Sequence, residues 1–315
     1  MIFRNTIRLL LTNFSNVWKA LLYYVVCIAL TFGVCWVFAS PIIEKLVEAN
    51  VFKNLFDLLN SFFSGVEVQN AVNSLNDIIN SAWQVLSTNI QFKFNYIFLI
   101  VWVLFVFPFT LDLAQLALGE VLYGYMTSQV KYSFTGRYIK NIGKSCVYAL
   151  LRYFVLFIFN VGAFLLLVYT IQTVALGGLL NVFLGFVLIC VLLCIEALKH
   201  SFFSCWMPAI AVLNSNPFSA LKRNFKCVFK KFFSIFSNFL ALIIIGIALN
   251  VMFCVFTLGV SLVFTLPLTA FVFVIFQMVS YFSSNGMRFY VYPDMFISPK
   301  RFEEQDKIKK LKYLV

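Results

Sequence analysis

The residue best placed for chemistry is Asp112, a carboxylate within a long apolar run, preceded by Pro108 and followed by Gln115 and Gly119. The spacing i, i+4, i+7, i+11 puts these four on one helical stripe that carries a helix-loosening proline, two polar groups and a small residue. Asp112 lies roughly 24 Å along the helix from Tyr96 at 1.5 Å per residue, in the inner half of a hydrocarbon layer. A carboxylate there costs several kcal/mol unless it is protonated or paired, so it must face other helices or water. Two readings follow. The stripe lines a path for a solute, or Asp112 bonds Gln115 or a neighbouring helix as structural glue.

The remaining chemical inventory is short. Glu196, Lys199 and the single histidine, His200, share a helical face and are expected to form a solvated cluster at the membrane interface. Glu120, two turns beyond Asp112, is expected to reach headgroups. Asn160, Gln172, Asn181, Asn250 and Gln277 complete the intramembrane polar set, and a solute path requires several of them to converge on Asp112. No zinc-type spacing of histidines and cysteines, phosphate loop, dinucleotide fingerprint or serine elbow occurs. Cys190 and Cys194 share a face and, with Cys205, offer thiolates to a soft metal, but small apolar residues in a span read as packing. The expectation is a non-enzymatic protein with no catalytic residue, metal or cofactor.

The elements that position these residues follow from composition. Of 315 residues 62% are hydrophobic and 11% charged, with a mean hydropathy of +0.94; a soluble domain carries about 25% charge. The fold class is therefore an all-α polytopic membrane bundle of about six spans. Span 1 covers about Val17 to Ala39, span 2 Tyr96 to Leu118, span 3 Cys146 to Thr170 and span 4 Leu179 to Leu198, and Phe232 to Tyr281 holds spans 5 and 6. Phe202 to Leu213 is too short to cross and reads as an interfacial continuation of span 4. Four regions result: an amphipathic segment with span 1 (1–40), an outer helical hairpin (41–94), spans 2 to 6 with basic loops (95–283) and a tail (284–315) with a charged helix from about Lys300.

In the hairpin, Ser40-Pro41 is expected to start a new helix, and Ile42 to Phe63 to form its first arm. Val68, Val72, Leu75, Ile79, Ala82 and Leu86 fall on one face of the second arm, which is expected to be buried. None of the eight cysteines lies in the hairpin, so no disulfide framework is implied. Arg4 and Arg8 ahead of an apolar run imitate a signal peptide, but the run is long enough to be a retained span.

The formal charge of +12 is distributed in a way that assigns orientation. With both termini in the cytoplasm, only Lys45, Lys53 and Lys93 among the basic residues fall outside, as the positive-inside rule requires. No basic face accompanies a soluble binding fold, so nucleic acid is excluded as a partner. The expected location is the cell membrane, multi-pass.

One pattern occurs three times: a basic amphipathic stretch leading directly into a span that runs outward. In 219–233 the apolar set Leu221, Phe225, Val228, Phe229 and Phe232 opposes Lys222, Arg223, Lys226, Lys230 and Lys231, and Asn216-Pro217 caps the helix. In the middle copy Arg137, Lys140 and Lys144 oppose Ile139, Ile142 and Cys146; in the first, Arg4 and Arg8 flank Phe3, Ile7, Leu10 and Phe14. The pattern predicts helices in the headgroup zone, apolar side chains down and cations toward anionic lipid phosphates, each cation worth about 1 kcal/mol. The stretch from Trp206-Met207-Pro208 through Asn216-Pro217 and Ala220-Leu221-Lys222-Arg223-Asn224 resembles uncharacterised six-pass bacterial membrane families, including the membrane domains found beside glycerophosphodiester phosphodiesterases. The resemblance implies membrane architecture and no activity, since no phosphodiesterase domain follows.

Two functions are carried forward. One is a module that organises anionic lipid, a membrane protein partner or a second copy of the chain through its basic helices and outer hairpin. The other is a transporter or exporter that uses the span 2 stripe. A water-accessible cavity lined by Asp112, Gln115 and polar groups of spans 3 to 6 separates them, since a dry bundle supports only the first.

Overall fold

The computed structural model describes residues 2–63, 68–88, 90–175, 179–257, 259–292 and 295–297. The helices are α1 (Ile2–Thr12), α2 (Phe14–Glu48), α3 (Val51–Phe63), α4 (Val68–Thr88), α5 (Ile90–Val101), α6 (Phe107–Ser128), α7 (Phe134–Ala175), α8 (Leu179–Phe202), α9 (Trp206–Leu213), α10 (Pro217–Val228), α11 (Phe232–Phe256) and α12 (Leu262–Asn285). A π-helical turn, Trp102–Val106, joins α5 to α6. Six helical stretches are long and apolar enough to cross a membrane: Phe14–Glu48, Gln91–Ser128, Phe134–Thr173, Phe183–Leu213, Phe232–Phe256 and Leu262–Asn285. The chain is thus a multi-pass, all-α membrane protein, with one addition that periodicity did not announce. An antiparallel ribbon, β1 (Phe289–Tyr292) with β2 (Met295–Ile297), follows α12. The tail helix expected from Lys300 lies outside the described residues.

Two compact units form, one from 1–25, 111–159 and 193–315, the other from 26–110 and 160–192. In the first, α12 is central: 44% of its apolar window is buried, against 6 to 17% in the other spans. Phe271, Ile275, Phe276, Val279 and Phe282 of α12 pack with Phe239 of α11, Trp206 and Met207 of α9, and Leu116 and Leu122 of α6. The α1 helix lies against α12 and β1, where Thr12 donates a hydrogen bond to the Val291 carbonyl at 3.2 Å.

Phe202 to Leu213 departs from expectation. The chain breaks after Phe202, and α9 is core, with Trp206 to Ala211 all buried, instead of lying at an interface. A length argument excludes a seventh crossing and leaves packing against α6, α10 and α12 open. Pro41 likewise does not start a helix; α2 runs through it to Glu48, and the break falls at Asn50, which takes φ +54°.

Each of the three basic amphipathic helices buries small or polar residues and leaves part of its apolar stripe exposed, other members of the stripe, such as Val228, Leu221 and Phe232, packing into or against the core. Along α1, Asn5, Thr6, Leu9 and Asn13 are buried while Ile7 and Phe14 are exposed; along the start of α7, Asn141 and Ser145 are buried and Ile139 and Ile142 exposed. In α10 the inner face is Ala220, Asn224, Cys227 and Val228, and Phe229 is 63% exposed. Water would invert this arrangement. Lipid does not, because helices surrounded by hydrocarbon associate through small and hydrogen-bonding side chains.

The outer hairpin, within the second unit, corrects a second expectation in the same sense. Leu75 and Ile79 of the supposed buried face are exposed, as are Phe52, Leu55, Phe56 and Trp83, and Ile78 is buried instead. An open groove between the arms is lined by Asn54, Asp57, Leu58, Ser74, Asp77, Ile78 and Ser81, of which Ile78 is buried and Asn54, Asp57, Ser74 and Asp77 are exposed. The side chains of Val68, Val72 and Leu86 lie outside the described residues.

Candidate functional site

Asp112 stands on α6 one turn beyond Pro108. Proline supplies no N–H to the preceding turn, and the π-helical Trp102–Val106 adjoins it, so the backbone of span 2 departs from α-geometry just before the carboxylate. Gln115 Nε2 donates to Asp112 Oδ1 at 2.6 Å. The decisive partner comes from span 3: Arg152 Nη1 forms an ion pair with the same oxygen. The carboxylate is therefore compensated by partners within span 2 and span 3.

Beside this pair lies a cavity of about 280 Å³, lined by Gln115, Arg152, His200, Leu266, Thr269, Ala270, Phe273, Val274 and Gln277; Asp112, expected in its wall, does not line it. It draws polar side chains from spans 2, 3, 4 and 6. Gln277 is only 5% exposed, and neither its Oε1 nor that of Gln115 has a hydrogen-bond partner. Asn250 of span 5 bonds Thr269 Oγ1 at 3.2 Å and the Gly246 carbonyl at 2.7 Å, which ties span 5 to the cavity wall.

In the cluster Glu196, Lys199 and His200 the side chains of Glu196 and His200 stay partly exposed, while Lys199 is the most covered. Lys199 is 8% exposed and ion-paired with Glu196, whose Oε2 lies 4.0 Å from His200 Nε2. The His200 ring sits between Phe239 and Phe273, at 6.0 and 5.0 Å between centroids, and borders the cavity. Position near a span end suggested water; aromatic packing from α11 and α12 supplies part of the surroundings. Glu120 is also buried and pairs with Arg137 at 3.3 Å rather than reaching headgroups.

Gly119 does not line the cavity. A Cβ there would collide with Met207 Sδ, so the glycine permits close approach of α6 to α9. Pro108 acts on the backbone. The stripe read from spacing thus divides into two polar residues at the site and two that shape the helix carrying them. Arg152 was missed, although a cation inside the apolar run from Cys146 to Thr170 is the same signal that singled out Asp112.

No family model, curated protein or solved structure matches the chain. The six spans implied by the resemblance of Trp206 to Asn224 do stand, and the fold explains those residues locally. Trp206 Nε1 donates to the Pro217 carbonyl at 2.8 Å. Asn224 accepts from the Cys205 N–H at 2.9 Å and donates to the Phe202 carbonyl at 2.7 Å. These bonds close the break between α8 and α9 and fix α10 against it.

The basic residues singled out for lipid differ in their partners. Arg137 faces Glu120 and lies over the Tyr132 ring at 3.8 Å. Lys144 donates to the carbonyl of Asn214 at 3.2 Å at the C-terminus of α9, where a cation also suits the helix dipole. Lys140 borders the small cavity beside Glu120 and Asn141. Lys230 reaches Asn285 Oδ1 at 3.2 Å, and Lys231 the Ser283 carbonyl at 2.9 Å. Lys222, Arg223 and Lys226 are exposed on α10 beside Phe225 and Phe229.

Proposed function

We propose that this protein is a non-enzymatic membrane protein that admits a small polar solute into its helix bundle, as a transporter or exporter must. The observation that carries the reading is the cavity beside the Asp112–Arg152 pair, bordered by Arg152 and by the polar side chains Gln115, His200, Thr269 and Gln277 of four spans. Intramembrane ionisable residues that face a bundle interior are, by their cost, functional-site residues by default. The test is Thr269→Cys in a chain whose native cysteines have been replaced, set against Ile244→Cys on the exposed side of span 5. In membrane vesicles a small charged thiol reagent should modify Thr269→Cys far faster. Equal, negligible rates would mean a dry cavity and would sink the reading.

A second reading, organisation of anionic lipid, is favoured by the outward stripe of α10 with Lys222, Arg223 and Lys226 beside it. It leads to its own expectation: the full chain should retain more phosphatidylglycerol than phosphatidylcholine in native mass spectrometry, and the three-residue Gln variant should lose that preference. Indifference of the wild type to headgroup charge would leave these cations only the role of setting orientation.

A further inference from the structure

Cys205 and Cys227 take no part in the solute cavity and meet where α9, α10 and α12 pack together. Cys205 stands at the break before α9, where its N–H donates to Asn224 Oδ1 at 2.9 Å. Cys227 follows Asn224 by three residues and so lies on the same face of α10. Its Sγ is 2.8 Å from Cys205 Sγ, well inside the roughly 3.5–4.0 Å of an ordinary apolar contact. Both are free thiols, at most 3% exposed.

Two thiols that merely fill space need no polar neighbours, yet this pair has them. Asn285 of α12 donates from Nδ2 to Cys227 Sγ at 3.4 Å, and Lys230 donates to Oδ1 of the same amide at 3.2 Å. Cys227 lies outside the six crossing stretches. The hydrogen bond of the Cys205 thiol, with that of Asn285, holds the Cys227 thiol below its ordinary value against the opposing effect of burial. A thiolate is the nucleophile toward an oxidant, and a second sulfur within reach resolves the product.

We propose that Cys205 and Cys227 are a redox pair that hydrogen peroxide closes into a disulfide, tying the end of α10 to the start of α9. Burial selects an oxidant little larger than water. The Cys227 thiolate attacks one peroxide oxygen: an S–O bond forms, the O–O bond breaks, and the departing hydroxide takes up the proton the thiol gave up and becomes water. The Cys205 sulfur then attacks the sulfenic sulfur: the S–S bond forms, the S–O bond breaks, and hydroxide leaves with the Cys205 proton as a second water. Two sulfurs are oxidised and two oxygens reduced. Closing the bond brings the sulfurs together by under about 1 Å, and a dithiol reductant reopens it by exchange.

The test uses the full chain in lipid nanodiscs, treated with peroxide, denatured in N-ethylmaleimide and digested with trypsin, which cuts after Lys222, Arg223 and Lys226 and so puts the two cysteines on separate peptides. Cys205 and Cys227 should lose their label together, appear as one disulfide-joined pair and regain the label after dithiothreitol, while Cys190, exposed on α8, keeps it. Cys205→Ser should leave a sulfenic acid at Cys227 that dimedone traps. The oxidised chain should melt several degrees above the reduced one, a shift absent from Cys227→Ser. The wild-type arm stands whether or not either serine variant folds. Full labelling of both cysteines after peroxide would reduce the pair to packing. Loss of label at Cys190 as readily as at Cys227 would make the oxidation unselective, and a joined chain that melts no higher than the reduced one would remove the tie between α9 and α10; each result overturns the proposal.

Discussion

At the scale of single residues, the Asp112–Arg152 pair sets the character of the bundle. Removing one partner of a buried ion pair leaves an uncompensated charge and costs about 3–5 kcal/mol, whereas replacing both with apolar groups of similar size is close to neutral. Asp112→Ala and Arg152→Met should therefore each lower the melting temperature in detergent markedly, and Asp112→Leu/Arg152→Met should melt closer to wild type than either single variant. Equal additive losses would mean that the two side chains are not coupled. Half of this pair was legible in the sequence. Asp112 drew notice because it interrupts an apolar run with other polar residues at helical spacing, whereas Arg152, alone among apolar neighbours, was absorbed into the basic total that assigns orientation. The cover over His200 was not legible for a related reason: proximity to a span end says nothing of which neighbouring helix packs on the residue, and here Phe239 and Phe273 do.

At the scale of elements, the break between α8 and α9 shows how a short apolar segment that cannot cross becomes core. Asn224 satisfies one N–H and one carbonyl at that break, and both would be orphaned by Asn224→Leu. With about 1–3 kcal/mol for each unsatisfied buried group, this variant should be among the least stable single substitutions on α10, while Lys222→Gln, on its exposed side, should melt as wild type does. A melting temperature for Asn224→Leu within a degree of wild type would contradict the role given to these bonds. The existence and start of α10 were readable from Asn216-Pro217 and from the separation of phenylalanines and lysines, but the helix ends at Val228, short of the expected 233, and α11 begins at Phe232, where the chain was expected to turn into span 5. Its inner face was not readable. Periodicity locates an apolar stripe without saying whether protein or lipid receives it, and α10 seats Ala220, Asn224 and Cys227 inward. The hairpin arms were misjudged through the same ambiguity.

For the whole molecule, the number of spans followed from composition because the hydrocarbon thickness fixes helix length. The cavity did not, since convergence of Gln115, Arg152, His200, Thr269 and Gln277 depends on packing of helices distant in sequence. The ribbon after α12 was likewise hidden, its strands being too short for an alternating pattern to register. Orientation rests on charge asymmetry: cysteines introduced at Asn76 and at Lys226 should differ, only the first reacting with an impermeant reagent applied to the outside of intact cells. Reaction of Lys226→Cys alone would reverse the topology. Whether the bundle holds an occupied polar cavity or a dry seam is read from a high-resolution density map of the full chain in a lipid nanodisc. Ordered density, solute or water, should lie in the cavity between Gln115, Arg152 and Gln277. Phe273 and Leu266 closed over the ion pair, with no density between them, would contradict it.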